Sequence, residues 1–450
     1  MKNLLLILAA LIIASCSFDN KTGIWRDAST IPVDNQVVKS IEKNESKRKF
    51  EKTSQNTIFN REVDALSDSI LELDSPIIID NWEEQYGSIT NNISNISHNG
   101  SRTFLSKSSK LTKLNSNNNI VFYKNDLITF DHKGRIFIYS VNLKKKIFVY
   151  NFYKKNFKNF KKIIYLKINK DILYAADNLG YVYAIDLKNK SLVWAKNFGI
   201  PFRSNIKVID DQIFLANQDN KVYSLDTKTG NKKWQFSTSL TFLKNDFKNN
   251  IAIDQFSKSL LFLNTSGELF SINYDNQKIN WVLNFRNTST TQDSTLFLSQ
   301  PMAWKNNNLV VSTENNTASY NTELSSKNWS LGIRAILKPT ITSKHTFILS
   351  KNNLLIGIEN KSGNVLWSVN ILKNYDDKLE RKIGKFNDFK IVNNEINLFS
   401  KNGYLLTFNY NDGSFKKIKK ISKNGIRSEV VFLNNNIFLI DNKNRLLKFD

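Results

Sequence analysis

Few residues of this 450-residue sequence could support metal binding or nucleophilic chemistry. The chain has one cysteine, Cys16, and three widely separated histidines, His98, His132 and His345. A single cysteine excludes an internal disulfide and a zinc site of the cysteine type. The sequence also contains no Ser/His/Asp arrangement, phosphate-binding glycine loop or dense acidic cluster. It therefore predicts no catalytic residue, no metal site and no cofactor.

Cys16 follows a segment that reads as a secretory signal. An apolar run from Leu4 to Ile13, too short to span a bilayer comfortably, precedes the small residues Ala14 and Ser15. The sequence IASC resembles a bacterial lipobox, and this resemblance implies cleavage after residue 15 and acylation of the cysteine. Several acyl chains would anchor the protein stably. The alternative is a secreted protein whose single cysteine has no such role.

The residue after the cysteine is serine, which resembles the sorting pattern of outer-membrane lipoproteins. Residues 16–75 are polar and charged, and we interpret them as a flexible tether with a short helix near residues 59–73. Packing of residues 58–73 on the main domain is the alternative. These features predict a lipid-anchored protein at the periplasmic face of the outer membrane.

The net charge of +24 allows two interpretations. Such a charge suits nucleic acid or an anionic membrane surface. Here the lysines and arginines are scattered between apolar stretches, which favours a solvated surface. An exported, lipid-anchored chain is not expected to meet nucleic acid.

The rest of the chain is an internal repeat. GYVYAIDLKNKSLVW at residues 180–194 recurs as NKVYSLDTKTGNKKW at 220–234 and as NLLIGIENKSGNVLW at 353–367. The first residue of each copy, its anchor, is Gly or Asn, which suits the positive φ of a tight turn. The eight anchors, about 44 residues apart as in propeller blades, are Gly134, Gly180, Asn220, Gly267, Asn315, Asn353, Gly403 and Asn444.

Two further repeat positions predict packing between blades. Five copies end in a tryptophan fourteen residues after the anchor, and the residue four after the anchor is mostly small, which leaves room for a large ring. We assign the blade-docking role to Trp82, Trp194, Trp234, Trp281, Trp329 and Trp367. A ligand box is the rival interpretation, but one tryptophan in each copy fits packing better.

The repeat predicts an all-β fold, an eight-bladed propeller of four-stranded blades over residues 76–450. The last copy stops at Asp450, so a strand must come from elsewhere to avoid an open sheet edge. We expect an N-terminal strand within residues 76–87 to close the ring by pairing around Phe438–Phe449. Residues 88–110 are rich in Asn and Ser and are expected to form a loop.

The pattern A-x-D-x-x-T-G-x-x-x-W, seen here as AIDLKNKSLVW and SLDTKTGNKKW, resembles the repeat of PQQ-type quinoprotein propellers. Together with the lipobox and the segment NWEEQYG, it resembles the BamB family of assembly lipoproteins. That resemblance implies a non-enzymatic scaffold that docks on the POTRA domains of a BamA-like outer-membrane barrel, beside other assembly subunits. It also implies help for nascent β-barrel proteins as they insert.

In the BamB family, docking uses a Leu-x-Leu-Arg loop between middle blades. The equivalent stretch, QFSTSLTFLKNDF, places Leu240, Phe242, Leu243 and Lys244 near that motif. The match departs from the family because Lys replaces Arg, the spacing is off by one, and SQPMAW carries no acid where the family has some. A buried first strand of a blade is the alternative for residues 240–243. Arg203, one blade earlier, is a weaker candidate.

The sequence leaves two other functions open. A lipid-anchored propeller could bind peptidoglycan, a glycan or another envelope partner, since propellers host many functions. A PQQ-dependent quinoprotein dehydrogenase is the other alternative. Such enzymes hold Ca²⁺ with a Glu/Asn/Asp set and often carry a vicinal disulfide, for which this sequence offers no cysteines beyond Cys16.

Overall fold

The sequence repeats form the blades of a ring. The computed structural model describes residues 16–19, 24–27, 58–66, 70–114, 118–153, 157, 159–241, 246–286 and 296–450. The chain divides into two units, Met1–Thr57 and Ile58–Asp450. In the first unit, β1 (Cys16–Asp19) pairs antiparallel with β2 (Ile24–Asp27).

The second unit contains eight four-stranded antiparallel sheets among its described residues, so the eight-bladed propeller is confirmed. The first strands of neighbouring blades contact each other and line a central channel. Because consecutive strands alternate in direction, the connections between second and third strands and between blades share one face. We call it the upper face, and the opposite face the lower face.

The strands of blades 1 to 4 are, from the channel outward, β4 (Val121–Tyr123), β5 (Asp126–Phe130), β6 (Arg135–Ser140), β7 (Lys145–Asn151); β8 (Ile164–Asn169), β9 (Ile172–Asp177), β10 (Tyr181–Asp186), β11 (Ser191–Asn197); β12 (Lys207–Ile209), β13 (Gln212–Ala216), β14 (Lys221–Asp226), β15 (Lys232–Ser237); β16 (Asn250–Asp254), β17 (Ser259–Leu263), β18 (Glu268–Asn273) and β19 (Ile279–Asn284).

Blades 5 to 8 comprise β20 (Ala303–Lys305), β21 (Asn308–Ser312), β22 (Thr317–Asn321), β23 (Ser326–Leu331); β24 (Thr340–Ile341), β25 (His345–Leu349), β26 (Leu354–Glu359), β27 (Val365–Asn370); β28 (Phe386–Val392), β29 (Glu395–Ser400), β30 (Tyr404–Asn409), β31 (Phe415–Lys420); and β32 (Val431–Leu433), β33 (Asn436–Ile440), β34 (Leu446–Phe449), β3 (Phe104–Lys107). A capped helix, α1 (Asp377–Ile383), connects blades 6 and 7.

The anchors lie in the turns between second and third strands. Seven of the eight have positive φ, for example 90° at Gly180, whereas Asn315 does not. In several of these turns a buried side chain three residues before the anchor accepts backbone hydrogen bonds, a feature that the repeat pattern did not predict. In blade 2 the Asp177 carboxylate accepts the backbone N–H groups of Leu179 (2.7 Å) and Tyr181 (2.9 Å). Asn217 and Asp441 do the same in blades 3 and 8.

The recurring tryptophans lie opposite the small residues in register, as the repeat predicted. Trp194 pairs with Ala184, and Trp367 pairs with Gly357, each just before a bulge in the third strand. Four of the indole N–H groups then donate to a backbone carbonyl in a turn of the next blade. These bonds, of 3.0–3.1 Å, join Trp194 to Thr227, Trp281 to Thr322, Trp329 to Asn360 and Trp367 to Tyr410.

Glycine in the receiving turn lets the tryptophan pack closely. Gly230 has φ of +69°, and a Cβ built on it would lie 2.5 Å from Cε3 of Trp194. We expect Gly230→Ala to lower the free energy of unfolding by about 2–4 kcal/mol, from backbone strain plus overpacking. The measurement is urea denaturation.

Gly199→Ala is the matched control for this prediction. Gly199 has φ of +75°, but a Cβ there would meet no atom within 4 Å. We expect this variant to lose only about 1 kcal/mol, the cost of the backbone conformation alone. Equal losses in the two variants would contradict the role of Gly230 in tryptophan packing.

An N-terminal strand closes the ring, but it is not the strand expected from the sequence. Phe104–Lys107, within the expected loop of residues 88–110, pairs with β34 as the outermost strand of blade 8. Residues 76–87 instead enter the channel. The backbone pairs of β3 cover the edge of blade 8, although the FLSK stretch has only a weak strand signal in the sequence.

The second unit begins at Ile58, within the residues assigned to the tether. Val63 exchanges two backbone hydrogen bonds with Ser368 on the outer edge of blade 6. Leu71 is buried, and its N–H donates to the Asn411 side chain. Asp74 forms an ion pair with Lys305 at 3.1 Å. Residues 58–66 and 70–75 therefore pack on the propeller, and the described residues near 59–73 are not helical.

Candidate functional site

The loop that joins blades 3 and 4 on the upper face carries the first predicted docking residue. Leu240 follows β15 and is 62% exposed. The first strand of blade 4 begins only at Asn250. The alternative of a buried first strand is therefore wrong for Leu240. Phe242, Leu243 and Lys244 lie outside the described residues.

Hydrogen bonds fix the base of this loop. Asn220 donates to the Ser239 carbonyl (2.8 Å) and accepts from the Thr265 hydroxyl (2.7 Å). The Ser239 hydroxyl donates to Glu268 at 2.6 Å. Asn220 is buried, so its amide groups require these partners. The exposed side chain of Leu240 thus projects from a base attached to blades 3 and 4.

Arg203 lies in the preceding connection on the same face. Its guanidinium donates to the Phe247 carbonyl at 3.2 Å, which links the two loops. Lys248, beside it, has its ammonium group 5.3 Å from the centre of the Tyr165 ring. Burial and the nearby Arg203 lower the pKa of Lys248. Lys248, Tyr165 and Tyr86 line a cavity of about 320 Å³ at the upper end of the channel.

The lower part of the channel is occupied by residues 77–97, which we call the inner loop. The loop makes one circuit of the channel and contacts the innermost strand, or the turn that follows it, in every blade. In chain order, Ile79 contacts blade 8, Trp82 blade 1, Glu83 blade 2, Ser88 blade 3, Ile89 blade 4, Thr90 blade 5, Asn92 blade 6 and Ile96 blade 7. Six of these contacts include backbone hydrogen bonds of 2.7–3.1 Å.

The two ends of the circuit meet. The Ile77 N–H donates to the Asn95 carbonyl (3.1 Å), and the Ser97 N–H donates to the Ile77 carbonyl (2.7 Å). Residues of the loop are well buried, among them Asn91, Asn95 and Ile96. The chain therefore fills this part of its channel with its own backbone and amide side chains.

The inner loop brings a carboxylate between two lysines of the channel wall. Glu84 is buried, forms an ion pair with Lys207, and lies 3.1 Å from Lys167. Burial opposes its ionisation, but the two lysines prevail and hold the pKa of Glu84 below its ordinary value. The pKa of Lys207 is lowered, chiefly by burial. Glu84 therefore provides a charged contact between the inner loop and the channel wall.

Two further side chains at the channel have strongly shifted pKa values. Burial raises the pKa of Glu429 to about 8. Burial and the nearby Lys390 lower the pKa of Lys338 to about 7. Both residues lie just before an innermost strand, in blades 8 and 6, where water is restricted.

Trp82 differs from the other assigned tryptophans. It is fully buried in the inner loop, where its carbonyl accepts from Phe122 and its ring lies 5.6 Å from the ammonium group of Lys390. Gly87 contacts the ring so closely that a Cβ there would lie 2.7 Å from it. Trp82 therefore packs within the channel, not between outer strands. NWEEQYG has no counterpart in the repeat, which is the one signal in the sequence that sets Trp82 apart.

The described residues contain no group of three His, Cys, Asp or Glu side chains that could hold a metal ion. His98 packs edge-on against Phe432 at 5.4 Å, and His345 contacts the Glu72 carbonyl. Among the helices of the described part, none has the length and apolar character that a membrane span requires. The side chain of Cys16 lies outside what the structure describes.

Comparisons with known proteins agree with this architecture. Residues 160–369, which span blades 2 to 6, match the sequence model of the family described as outer membrane protein assembly factor BamB. No curated protein matches the chain significantly.

Solved structures extend the likeness to most of the ring. BamB from Moraxella catarrhalis is 12% identical, with a TM-score of 0.62 over 77% of this chain and 99% of that one. The computationally designed protein Ika8 is 8% identical, with a TM-score of 0.56 over 79% and 99%. Quinohemoprotein alcohol dehydrogenase from Comamonas testosteroni is 9% identical, with a TM-score of 0.60 over 82% and 80%. These likenesses concern the fold.

Proposed function

We propose that this BamB-like, PQQ-type propeller is a non-enzymatic scaffold lipoprotein of the machinery that assembles β-barrel proteins in the outer membrane. It docks on the POTRA domains of a BamA-like barrel, beside other assembly subunits. In that position it aids the insertion of nascent β-barrel proteins. The acylated Cys16 holds it at the periplasmic face of the outer membrane.

The observation that carries the proposal is the exposed Leu240, which follows the fixed base of a loop on the upper face. An apolar side chain that projects from a rigid base can enter a partner's pocket with little loss of conformational freedom. The loop lies within residues 160–369, the part that matches the BamB family model. Arg203, in the adjacent loop of the same face, carries a positive charge, and an apolar centre with a charged rim is the usual composition of a docking surface.

The second half of the family's docking site has no acidic counterpart here. In SQPMAW, the Gln300 N–H donates to the Ser312 carbonyl, and Met302 is fully buried. Docking in this chain therefore depends on the loop of blades 3 and 4. Phe242, Leu243 and Lys244 in that loop remain predicted contacts.

We expect Leu240→Asp to abolish co-purification of a BamA-like barrel. The experiment extracts the lipid-anchored protein from outer membranes in mild detergent, captures it by a C-terminal tag, and identifies partners by mass spectrometry. A buried charge in the contact would lower the affinity at least tenfold, because it leaves an unpaired carboxylate in the interface.

Leu324→Asp is the matched control for this experiment. Leu324 is 71% exposed in a turn on the lower face, so the same change there should leave the barrel bound. If no barrel accompanies the unmodified protein, the assembly proposal fails. Retention on cell wall would then favour another envelope partner, and uptake of PQQ with Ca²⁺ would favour a quinoprotein dehydrogenase.

A further inference from the structure

The inner loop has the contacts of a bound ligand. Each innermost strand has neighbours on one side within its blade, while its other side faces the channel. The loop satisfies backbone groups along that side, since its carbonyls accept from Phe122, Ile168, Ile253 and Trp304 in four different blades. Hydrogen bonds to buried backbone groups matter because a lost partner leaves those groups unsatisfied.

Side chains of the loop add recognition that backbone bonds alone would not give. The Asn92 amide donates to the Ile341 carbonyl (2.9 Å) and accepts from the Ile341 N–H (3.0 Å), so it pairs with blade 6 as a strand would. Asn91 likewise donates to the Ile251 carbonyl (3.0 Å) in blade 4. These amides are buried against the strands they contact.

Charge and backbone geometry also fit the loop to this channel. Glu84 places its carboxylate between Lys167 and Lys207, which without it would be two buried cations facing each other. At the tip of the loop, Tyr86 and Gly87 both have positive φ, 69° and 75°. A bulky residue in that conformation persists only where its surroundings hold it.

The strand pairing through which β3 closes the ring is short. The closing strand has four residues, Phe104–Lys107, and its pairing with β34 is interrupted by a register shift. The inner loop, by contrast, contacts all eight blades and meets itself at Ile77 and Ile96. Contacts that span the whole ring resist the separation of any two blades.

We propose that the inner loop is a built-in ligand of the central channel, and that its binding across all eight blades is what holds the ring closed. The blades recognise an extended acidic segment through the backbone carbonyls, the amide side chains and one carboxylate of that segment. This role does not depend on the proposed function in outer-membrane assembly.

The test separates the loop from the ring after folding. A protease site is inserted between Asn99, whose side chain is exposed, and Gly100 in the full chain. The protein is cut, passed through gel filtration and melted, with the uncut insertion protein as the reference. We expect the N-terminal fragment to stay with the ring, because non-covalent contacts hold the inner loop.

Weakening the loop in the cut protein should then weaken the ring. In cut Asn92→Ala protein we expect a fall of about 3 °C or more in melting temperature, whether the fragment is released or stays bound. Asn352→Ala is the matched control, because Asn352 contacts Asn60 of the same fragment outside the channel. That variant should match the cut unmodified protein.

Two results would overturn the proposal. One is a fragment that leaves while the ring melts as it did before cleavage. The other is a cut Asn92→Ala protein that keeps its fragment and melts like the cut unmodified protein. Release of the fragment together with a lower melting temperature supports the proposal. This holds for the cut unmodified protein as well as for the cut Asn92→Ala protein.

Discussion

Replacing Glu84 by Gln is expected to lower the free energy of unfolding by about 3–5 kcal/mol, the cost of removing one partner from a buried ion pair. Lys207 is fully buried and Lys167 nearly so, and Glu84 is the carboxylate that both contact. Glutamine keeps the shape and can still accept a hydrogen bond, but it carries no charge. The measurement is urea denaturation monitored by tryptophan fluorescence near neutral pH.

Glu83→Gln is the matched control. The Glu83 carboxylate is one-third exposed and lies 3.6 Å from Lys167, so solvent screens this pair. We expect a loss below about 1 kcal/mol, typical of partly exposed ion pairs. Losses of similar size in the two variants would show that the buried position of Glu84 has no special role.

Acid should diminish the effect of the Glu84 substitution. Its folded-state pKa lies below the ordinary value, so the unfolded chain binds a proton first as the pH falls. The contribution of Glu84 is therefore present above the unfolded-state pKa and is lost as the pH falls through the folded-state pKa. The difference between the unmodified protein and Glu84→Gln should be constant near neutral pH and shrink in acid. A difference that grew in acid would contradict this assignment.

Trp367→Ala should lower the free energy of unfolding by about 3–5 kcal/mol, the usual cost of deleting a buried aromatic side chain. The ring is fully buried, lies opposite Gly357, and packs on Gly413 of the next blade. Its N–H donates to the Tyr410 carbonyl at 3.1 Å. Removal would leave a cavity between blades 6 and 7, and neighbouring strands cannot collapse into it without disturbing their pairing.

Trp281→Ala provides the comparison for this variant. Trp281 makes the same kind of hydrogen bond, to Thr322 at 3.0 Å, but its ring is only partly buried. We expect a smaller loss there, and Trp367→Phe should recover part of the loss at Trp367 by refilling the space. Equal losses at both tryptophans would mean that the hydrogen bond, not burial, sets the contribution. Urea denaturation of all three variants checks this.

The sequence alone determined the number, order and internal layout of the blades. Each blade is built from consecutive hairpins, so short stretches of sequence encode it. Alternating apolar residues indicate the strands, and Gly or Asn indicates the turns. The pairing of Trp194 with Ala184 follows from the same short-range register. The position of Leu240 in a loop between blades was suggested by the resemblance to the BamB family, and the sequence left a buried first strand open as the alternative.

Only the tertiary structure decided how the ring is closed and what fills its channel. Residues 76–87 were predicted to close blade 8, yet they line the channel, and Phe104–Lys107 closes the ring instead. The start of the packed unit at Ile58 was likewise left open by the sequence. The physical reason is that the inner loop binds mainly through its backbone, to strands and turns up to about 350 residues away in the chain. Every residue has a backbone carbonyl, so the amino-acid sequence does not show which carbonyls will form these bonds.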